Sequence, residues 1–251
     1  MERFQISITI HGIEYCLPLR QRETWKYFRG YNPRPILKEE AQSLENIKIS
    51  DEHFAETVRM IQEVSSRQSV DSCYAEYCAF SYPIFTALLK QNILALHGLS
   101  FVYRNGGIVL TAPSGTGKTT QFRNWYSTWK DEVTIINGDK TLIGSTDNQL
   151  RIFSSPWAGK ENLQTSCEGI LSHIICLEQG TENSIHQMST LDKIEFLYPQ
   201  IMYTASTEKN IRTVCNLLTL LIEKVQVVKF INDGTVQSTE LLRRFLHDQL
   251  G

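Results

Sequence analysis

The sequence predicts an α/β protein whose mixed β-sheet is built around a phosphate-binding loop, preceded by a small α+β domain. In the C-terminal part, short apolar runs typical of buried strands alternate with segments of helical periodicity. Hairpin signals between some of these runs make the sheet mixed. One run leads directly into Ser-Gly-Thr-Gly-Lys-Thr-Thr at residues 114–120. We therefore divide the chain into an N-terminal α+β domain, 1–90, and a phosphate-loop domain, 91–251.

The composition is that of a globular protein. Of its 251 residues, 41% are hydrophobic and 21% are charged, and the formal net charge of -2 argues against general nucleic-acid binding. No run reaches the roughly 18 apolar residues of a membrane-spanning helix, and MERFQISITI does not have the pattern of a signal peptide. The six cysteines include no CxxC pair. We therefore expect a cytoplasmic protein with reduced thiols and no zinc ribbon.

The N-terminal domain is predicted to begin with a β-hairpin. Apolar residues alternate along residues 4–17 on both sides of His11-Gly12, which is the pattern of two paired strands. The next segment, KYFRGYNPRP at 26–35, is broken by one glycine and two prolines and is predicted to be a loop or linker. Apolar residues at helical spacing predict a helix near 54–64, and SSRQSVDS is predicted to connect it to a second helix, at 73–90, interrupted or ended near Pro83.

The C-terminal domain is predicted as alternating strands and helices. Asn105-Gly106-Gly107 separates two short strands, the second of which enters the loop. Turn residues at 146–148 predict a β-hairpin, and apolar residues at helical spacing predict an amphipathic helix near 211–221. The predicted elements after the loop are a helix at 117–129, the strand VTIIN, the hairpin TLIGSTDNQLRIFSS, the strand GILSHIICLEQ, the helix near 211–221, the strand VQVVKFI and a helix at 238–249.

The loop matches the pattern GxxxxGK[ST] except that Ala112 replaces the first glycine. Gly115 and Gly117 give access to backbone angles that direct amide groups at phosphate oxygens, and the following helix adds the positive end of its dipole. Lys118 is predicted to reach the β- and γ-phosphates, and the Thr119 hydroxyl to bind Mg²⁺. The residues predicted to bind nucleotide are Ser114, Gly115, Thr116, Gly117, Lys118, Thr119 and Thr120.

Two further side chains are candidates for the same site. Asp139 follows the apolar strand VTIIN, and a strand end in an α/β sheet can direct a carboxylate toward the loop. Asn-Gly-Asp-Lys is also good turn chemistry, so Asp139 could equally be a turn residue. His97 lies on the strand before the loop strand, where a single histidine is more often structural.

The segment HGLSFVYRNGGIVLTAPSGTGKTT resembles the corresponding segment of the HPr kinase/phosphorylase and phosphoenolpyruvate carboxykinase superfamily. INGDK is similar to its acidic kinase-2 segment, and SSPWAGKEN is similar to a segment of small, HPr-kinase-like members. The resemblance covers roughly residues 93 to 232. It implies a mixed-sheet P-loop domain of the HPr kinase/carboxykinase type that uses ATP and Mg²⁺.

The resemblance also implies residue roles. His97 corresponds to a histidine near the transferred phosphate, and Asp139 to an acid that binds metal or acts as base toward an acceptor serine. Those families usually carry two consecutive acids, whereas this chain has Asp139-Lys140. Glu161 is the candidate second carboxylate that would act with Asp139, and Lys160 is a candidate contact to phosphate or substrate. Both could equally be solvent-exposed charged residues of a loop. Arg151 is a candidate γ-phosphate clamp or a solvent-facing hairpin residue.

Together these features predict an ATP-dependent, HPr-kinase-like serine kinase in which Asp139, His97 and Lys118 are catalytic, and Thr119 and Asp139 bind metal. The acceptor is expected to be a hydroxyl group in a small protein, a peptide, free serine or another small molecule, with the N-terminal domain a candidate for binding it. We expect no nucleic-acid or membrane partner, and an oligomer is compatible with the sequence. The alternatives are a non-catalytic nucleotide-binding regulatory module and a phosphohydrolase.

Overall fold

The computed structural model describes residues 4–65, 69–146, 149–204 and 207–251. The chain divides into two compact units, Met1–Ala87 and Leu88–Gly251. The first unit contains a four-stranded sheet and helices, and the second contains an eight-stranded mixed sheet with helices. In the described ranges, no helix has the length and apolar character needed to cross a membrane.

The first unit begins with the predicted β-hairpin, which the strand pairing confirms. Strands β1 and β2 are antiparallel, and Ile10 pairs with Ile13 across the two-residue turn. Most of the alternating apolar side chains of both strands are buried, with Ile8 and Tyr15 fully enclosed. The elements of this sheet are β1 (Phe4–Ile10), β2 (Ile13–Leu19), β3 (Arg34–Pro35) and β4 (Glu45–Asn46), in the spatial order β3-β1-β2-β4.

The prediction of a loop or linker at 26–35 is wrong, because most of this segment belongs to a ten-residue 3₁₀ helix, Arg22–Tyr31. Glu76, which is distant in sequence, accounts for the difference. Its buried carboxylate accepts hydrogen bonds from the backbone N–H groups of Arg20 and Gln21 and from the Thr24 hydroxyl, at the start of the helix. Phe28 is fully buried and anchors the helix to the core of the unit.

The predicted helix at 73–90 is interrupted, as the sequence indicated. It forms two helices separated at Phe80, and Pro83 lies in the first turn of the second, where its missing N–H group costs no intrahelical bond. The predicted connection 65–72 includes residues 66–68, which lie outside the described residues. The helices here are α1 (Lys38–Ala41), α2 (Asp51–Ser65), α3 (Ser72–Ala79) and α4 (Ser81–Leu88).

The second unit is organised around three parallel strands. Strands β6, β10 and β12 run in the same direction, and β5, β8, β9 and β11 add antiparallel pairs, so the predicted mixed sheet is confirmed. Its strands are β5 (Leu94–Tyr103), β6 (Gly106–Thr111), β7 (Val133–Asn137), β8 (Lys140–Thr146), β9 (Gln149–Phe153), β10 (Gly169–Gln179), β11 (Ser184–Gln187) and β12 (Gln226–Asn232). The main path is β11-β12-β10-β6-β5-β8-β9, and β7 pairs with β5.

Two apolar clusters pack this sheet against helices. One joins buried strand residues to Phe122, Trp125 and Leu242, which lie on α5 and α8. The other includes Val214 and Leu218 on α7. The helices of this unit are α5 (Lys118–Trp129), α6 (Thr190–Leu197), α7 (Glu208–Lys224) and α8 (Val236–Leu250), with short 3₁₀ helices at Leu89–Gln91, Lys130–Glu132 and Tyr198–Gln200.

In the second unit the other predicted strands and helices agree with the structure, and one strand and one α-helix were not predicted; β3, β4 and α1 of the first unit were not predicted either. Strands β8 and β9 form the predicted hairpin, and Thr146 pairs with Gln149, although turn residues 147–148 lie outside the described residues. The sequence analysis did not predict β11 or α6, the latter of which begins with a capping box between Ser189 and Asp192. After α6, the 3₁₀ turn Tyr198–Gln200 returns the chain to β5, where Ile201 forms a bridge with Leu96.

Candidate functional site

Residues 112–117 form the connection between β6 and α5 that the sequence pattern predicted to be a phosphate loop. Gly115 and Gly117 have φ angles of 83° and 100°, in the region that side-chain-bearing residues rarely adopt. A Cβ built on either glycine would meet no atom of the described chain within 4 Å, so backbone angle rather than space requires glycine here. The Thr116 hydroxyl donates to the Pro113 carbonyl at 2.8 Å, which closes the turn. The loop is therefore an open cradle.

The N-terminus of α5 faces this cradle. Gly117 is the N-cap residue, and because glycine has no side chain, it provides no capping acceptor for the N–H groups of the first helical turn. These N–H groups and the helix dipole favour an anion at this position. Thr119 in the first helical turn is half-buried, whereas Thr120 beside it and Ser114 in the loop are exposed.

Lys118 is the first residue of α5, and its side chain turns back onto the loop. Its Nζ donates to the Ala112 carbonyl at 2.7 Å and to the Pro113 carbonyl at 3.3 Å, and the residue is only 8% exposed. Burial lowers the pKa of Lys118 to about 8, and the negative charge of Asp139 opposes part of that change. The ammonium group is thus held in a poorly hydrated position, next to the cradle.

Asp139 lies in the tight turn between β7 and β8. The Oδ1 atom of Asn137, a fully buried residue at the end of β7, accepts hydrogen bonds from the Asp139 N–H at 2.9 Å and from the Lys140 N–H at 2.7 Å. Asn137 is itself held, because its Nδ2 donates to the Ser155 carbonyl at 2.9 Å. The turn chemistry seen in the sequence therefore fixes the backbone that carries the carboxylate, and the two readings of Asp139 are compatible.

The two carboxylate oxygens of Asp139 have different neighbours. Oδ1 lies 3.3 Å from His97 Nε2, and Oδ2 lies 3.5 Å from Lys140 Nζ. Burial raises the pKa of Asp139, but the hydrogen bond from His97 and the charges of Lys140 and Lys118 outweigh burial and hold the pKa below its ordinary value. Asp139 is therefore ionised at neutral pH, and two lysines and a histidine surround its single negative charge.

His97 reaches Asp139 because β5 is irregular at this point. A bulge between His97 and Gly98 sets both residues opposite Lys140, and the Gly98 N–H donates to the Asp139 carbonyl at 2.7 Å. A Cβ at Gly98 would lie 2.9 Å from Cγ1 of Val109 on the adjacent strand, so glycine permits this close approach. The other ring nitrogen, Nδ1, lies 3.1 Å from Oε1 of Gln200, a residue that the sequence analysis did not identify.

The remaining candidates are dispersed. Glu161 forms an ion pair with Arg123 on α5, and Lys160 is exposed in the same segment. This segment approaches the site through Gly159, since a Cβ there would lie 3.1 Å from the Asp139 Cβ. Arg151 instead forms an ion pair with Glu168.

The position of Arg151 in the sheet separates it from the loop. Arg151 pairs with Ile170 near the start of β10, whereas Thr111, the last residue before the loop, pairs with Cys176. Six residues of strand correspond to about 20 Å. Arg151 therefore lies toward the opposite end of the parallel strands, away from the site formed by Lys118, Asp139 and His97.

The side chains present fit one Mg²⁺ ion bound together with a polyphosphate. Among the described residues, no group of three or more His, Cys, Asp or Glu side chains could by itself hold a metal ion. Mg²⁺ is commonly held by one or two carboxylates with substrate phosphates and water rather than by an all-protein cage. Asp139 and the Thr119 hydroxyl are the oxygen ligands that this chain would provide.

Comparison with known proteins adds a distant structural similarity. No protein-family model and no curated protein matches the chain. Among solved structures, it is similar to the HPr(Ser) kinase/phosphatase from Coxiella burnetii, at 12% sequence identity and a TM-score of 0.37, over 62% of this chain and 99% of that one. A similarity at this level does not bear on chemistry.

Proposed function

We propose that the chain is an ATP-dependent phosphotransferase that moves the γ-phosphoryl group to a hydroxyl acceptor, a serine in a small protein or peptide, free serine or another small molecule. One observation carries the proposal. Thr111, the last strand residue before the glycine-rich loop, pairs with Gly98 on β5, and the Gly98 N–H donates to the Asp139 carbonyl at 2.7 Å, so the loop and the turn that carries Asp139 lie at the same edge of the sheet. Phosphate binding and an acceptor-orienting carboxylate are the two parts that phosphoryl transfer requires.

The proposed roles follow from charge and position. The loop N–H groups and Lys118 bind the β- and γ-phosphates and stabilise the charge that develops on the transferring group. Mg²⁺ at Thr119 and Asp139 would neutralise further phosphate charge. Asp139 accepts a hydrogen bond from the acceptor hydroxyl and takes its proton as the oxygen–phosphorus bond forms and the bond to the leaving diphosphate breaks. His97 and Lys140 hold the two oxygens of Asp139 in place.

The proposal is tested by γ-phosphoryl transfer from radiolabelled ATP to a panel of free serine, small polyols and peptides from a cell extract. Asp139→Asn preserves the size of the side chain but removes its charge, and we expect transfer to fall by at least about 100-fold, the contribution typical of a general base. Asp131→Asn is the matched control, because Asp131 is exposed beyond the C-terminal end of α5. Equal transfer by Asp139→Asn and wild type would refute the role of Asp139.

A regulatory module is the second candidate, and the site contains one observation in its favour. Lys140 occupies the position next to Asp139 where the resembling families carry a second acid, and its ammonium group lies 3.5 Å from Asp139 Oδ2. A module of this kind would bind MgATP and release it unchanged in the presence of every acceptor tested. Release of inorganic phosphate without an acceptor, lost in Asp139→Asn, would indicate a phosphohydrolase.

A further inference from the structure

Gln200 lies beside the site although it is 103 residues from His97 in sequence. It is the last residue of the 3₁₀ turn Tyr198–Gln200 and is 9% exposed. The chain on its C-terminal side is fixed to β5, since Ile201 forms a bridge with Leu96 and the Met202 N–H donates to the Ala95 carbonyl at 2.9 Å. The chain next to Gln200 is therefore fixed to β5 at Ala95 and Leu96, the two residues that precede His97.

The contact between the two side chains has a definite direction. An amide oxygen and an ionised carboxylate both only accept hydrogen bonds, so each ring nitrogen of His97 faces an acceptor: Nδ1 lies 3.1 Å from Gln200 Oε1, and Nε2 lies 3.3 Å from Asp139 Oδ1. With Nδ1 committed to Gln200, Nε2 is the ring nitrogen that faces Asp139. In functional histidines, the hydrogen bond at one ring nitrogen commonly determines the state and orientation of the other.

We propose that Gln200 is the positioning residue for His97, accepting a hydrogen bond from Nδ1 and so directing Nε2 at Asp139. Gln200 acts through His97 and does not contact the transferring phosphoryl group. Without the amide oxygen, the imidazole loses the acceptor that fixes its ring orientation. Gln200 is itself buried, and the residues that follow it pair with β5, which makes this a fixed constraint on the ring.

The inference is tested by NMR on the nucleotide-free protein with ¹⁵N-labelled histidine, at one pH. Long-range ¹H–¹⁵N correlations show which nitrogen carries hydrogen, and His97→Gln assigns the His97 signal among the six histidines. Gln200→Met has similar length but no acceptor, and we expect the Nδ1–H pattern of His97 to be lost. Gln200→Glu retains an acceptor oxygen and is expected to retain the pattern. Tyr198→Phe is the control, because it changes another residue of the same turn by removing the hydroxyl group that hydrogen-bonds to Tyr203. The control should leave the His97 pattern unchanged.

Kinetics give a second readout, which rests on the proposed function. We expect Gln200→Met to lower kcat by about 10- to 100-fold, the usual effect of losing an orienting partner, with the KM for ATP unchanged. Gln200→Glu should recover most of the lost kcat. An unchanged His97 pattern in Gln200→Met overturns the inference, whatever the kinetics. A changed pattern in a protein whose wild type transfers no phosphoryl group supports the positioning role and refutes the proposed function.

Discussion

Replacing the loop lysine should stabilise the nucleotide-free protein. Lys118 has an ordinary pKa of 10.5 that burial lowers to about 8, and this difference corresponds to about 3 kcal/mol of unfavourable burial of the charged form. Lys118→Met removes the charge but also removes two hydrogen bonds to loop carbonyls, which together contribute about 1 to 2 kcal/mol. We therefore expect a net gain in the free energy of unfolding of about 1 to 2 kcal/mol at pH 7.

The pH dependence of this gain has a definite sign. Folded Lys118 loses its proton near pH 8, whereas in the unfolded chain a lysine keeps its proton to about pH 10.5. Between these values the unfolded state binds more protons, so wild-type stability rises with pH across that window. The advantage of Lys118→Met is therefore complete below pH 8 and is lost as pH rises toward 10.5. Near that pH, the lost hydrogen bonds should leave the variant less stable than wild type.

Urea unfolding of the full chain, followed by circular dichroism from pH 7 to pH 10, measures this difference. Taking the difference between variant and wild type at each pH cancels the titration of all other groups. Lys130→Met is the matched control, because Lys130 is an exposed lysine beyond the other end of α5. The difference in the free energy of unfolding between Lys130→Met and wild type should stay the same at every pH. If the difference in the free energy of unfolding between Lys118→Met and wild type is also independent of pH, the conclusion that Lys118 is held as a buried, poorly hydrated cation is refuted.

Three other changes test the supports of the fold and the site. Glu76→Ala leaves three hydrogen-bond donors at the start of the 3₁₀ helix without their acceptor. In urea unfolding it should lower the free energy of unfolding by about 3 to 5 kcal/mol, whereas the control Glu56→Ala, at an exposed glutamate, should lower it by about 0.5 kcal/mol or less. Gly117→Ala should cost about 1 to 2 kcal/mol of stability through its φ of 100° and weaken ATP binding in calorimetry. Asn137→Ala releases the turn that holds Asp139 and should lower kcat by about 10-fold or more, with thermal unfolding measured in parallel.

The parts of the site that the sequence predicted are those determined by neighbouring residues. The loop between β6 and α5 follows from glycines and a lysine at fixed spacing between an apolar strand and a helix. Asp139 follows from its place after a strand, and Asn137 belongs to the same turn motif. Such features are readable because the interacting atoms are only a few residues apart.

The parts that were missed or misassigned depend on contacts across the fold. Gln200 follows α6, a helix that the analysis did not predict, and no local pattern connects it to His97. The 3₁₀ helix at 22–31 depends on Glu76, more than 50 residues away. Arg151 had the right chemistry for a phosphate clamp, but only strand register shows that it lies near the start of β10. Long-range pairing of this kind is set by tertiary packing, which sequence periodicity does not encode.

Binding of MgATP is the most direct test of the central claim that residues 112–119 hold a nucleotide. Isothermal titration calorimetry would compare wild type, Lys118→Ala and the exposed-lysine control Lys130→Ala. The account predicts one site in wild type and Lys130→Ala, and a loss of at least about 10-fold in affinity in Lys118→Ala, the equivalent of a charge-assisted hydrogen bond to phosphate. Affinity that is unchanged in Lys118→Ala, or no binding by wild type, would contradict the account.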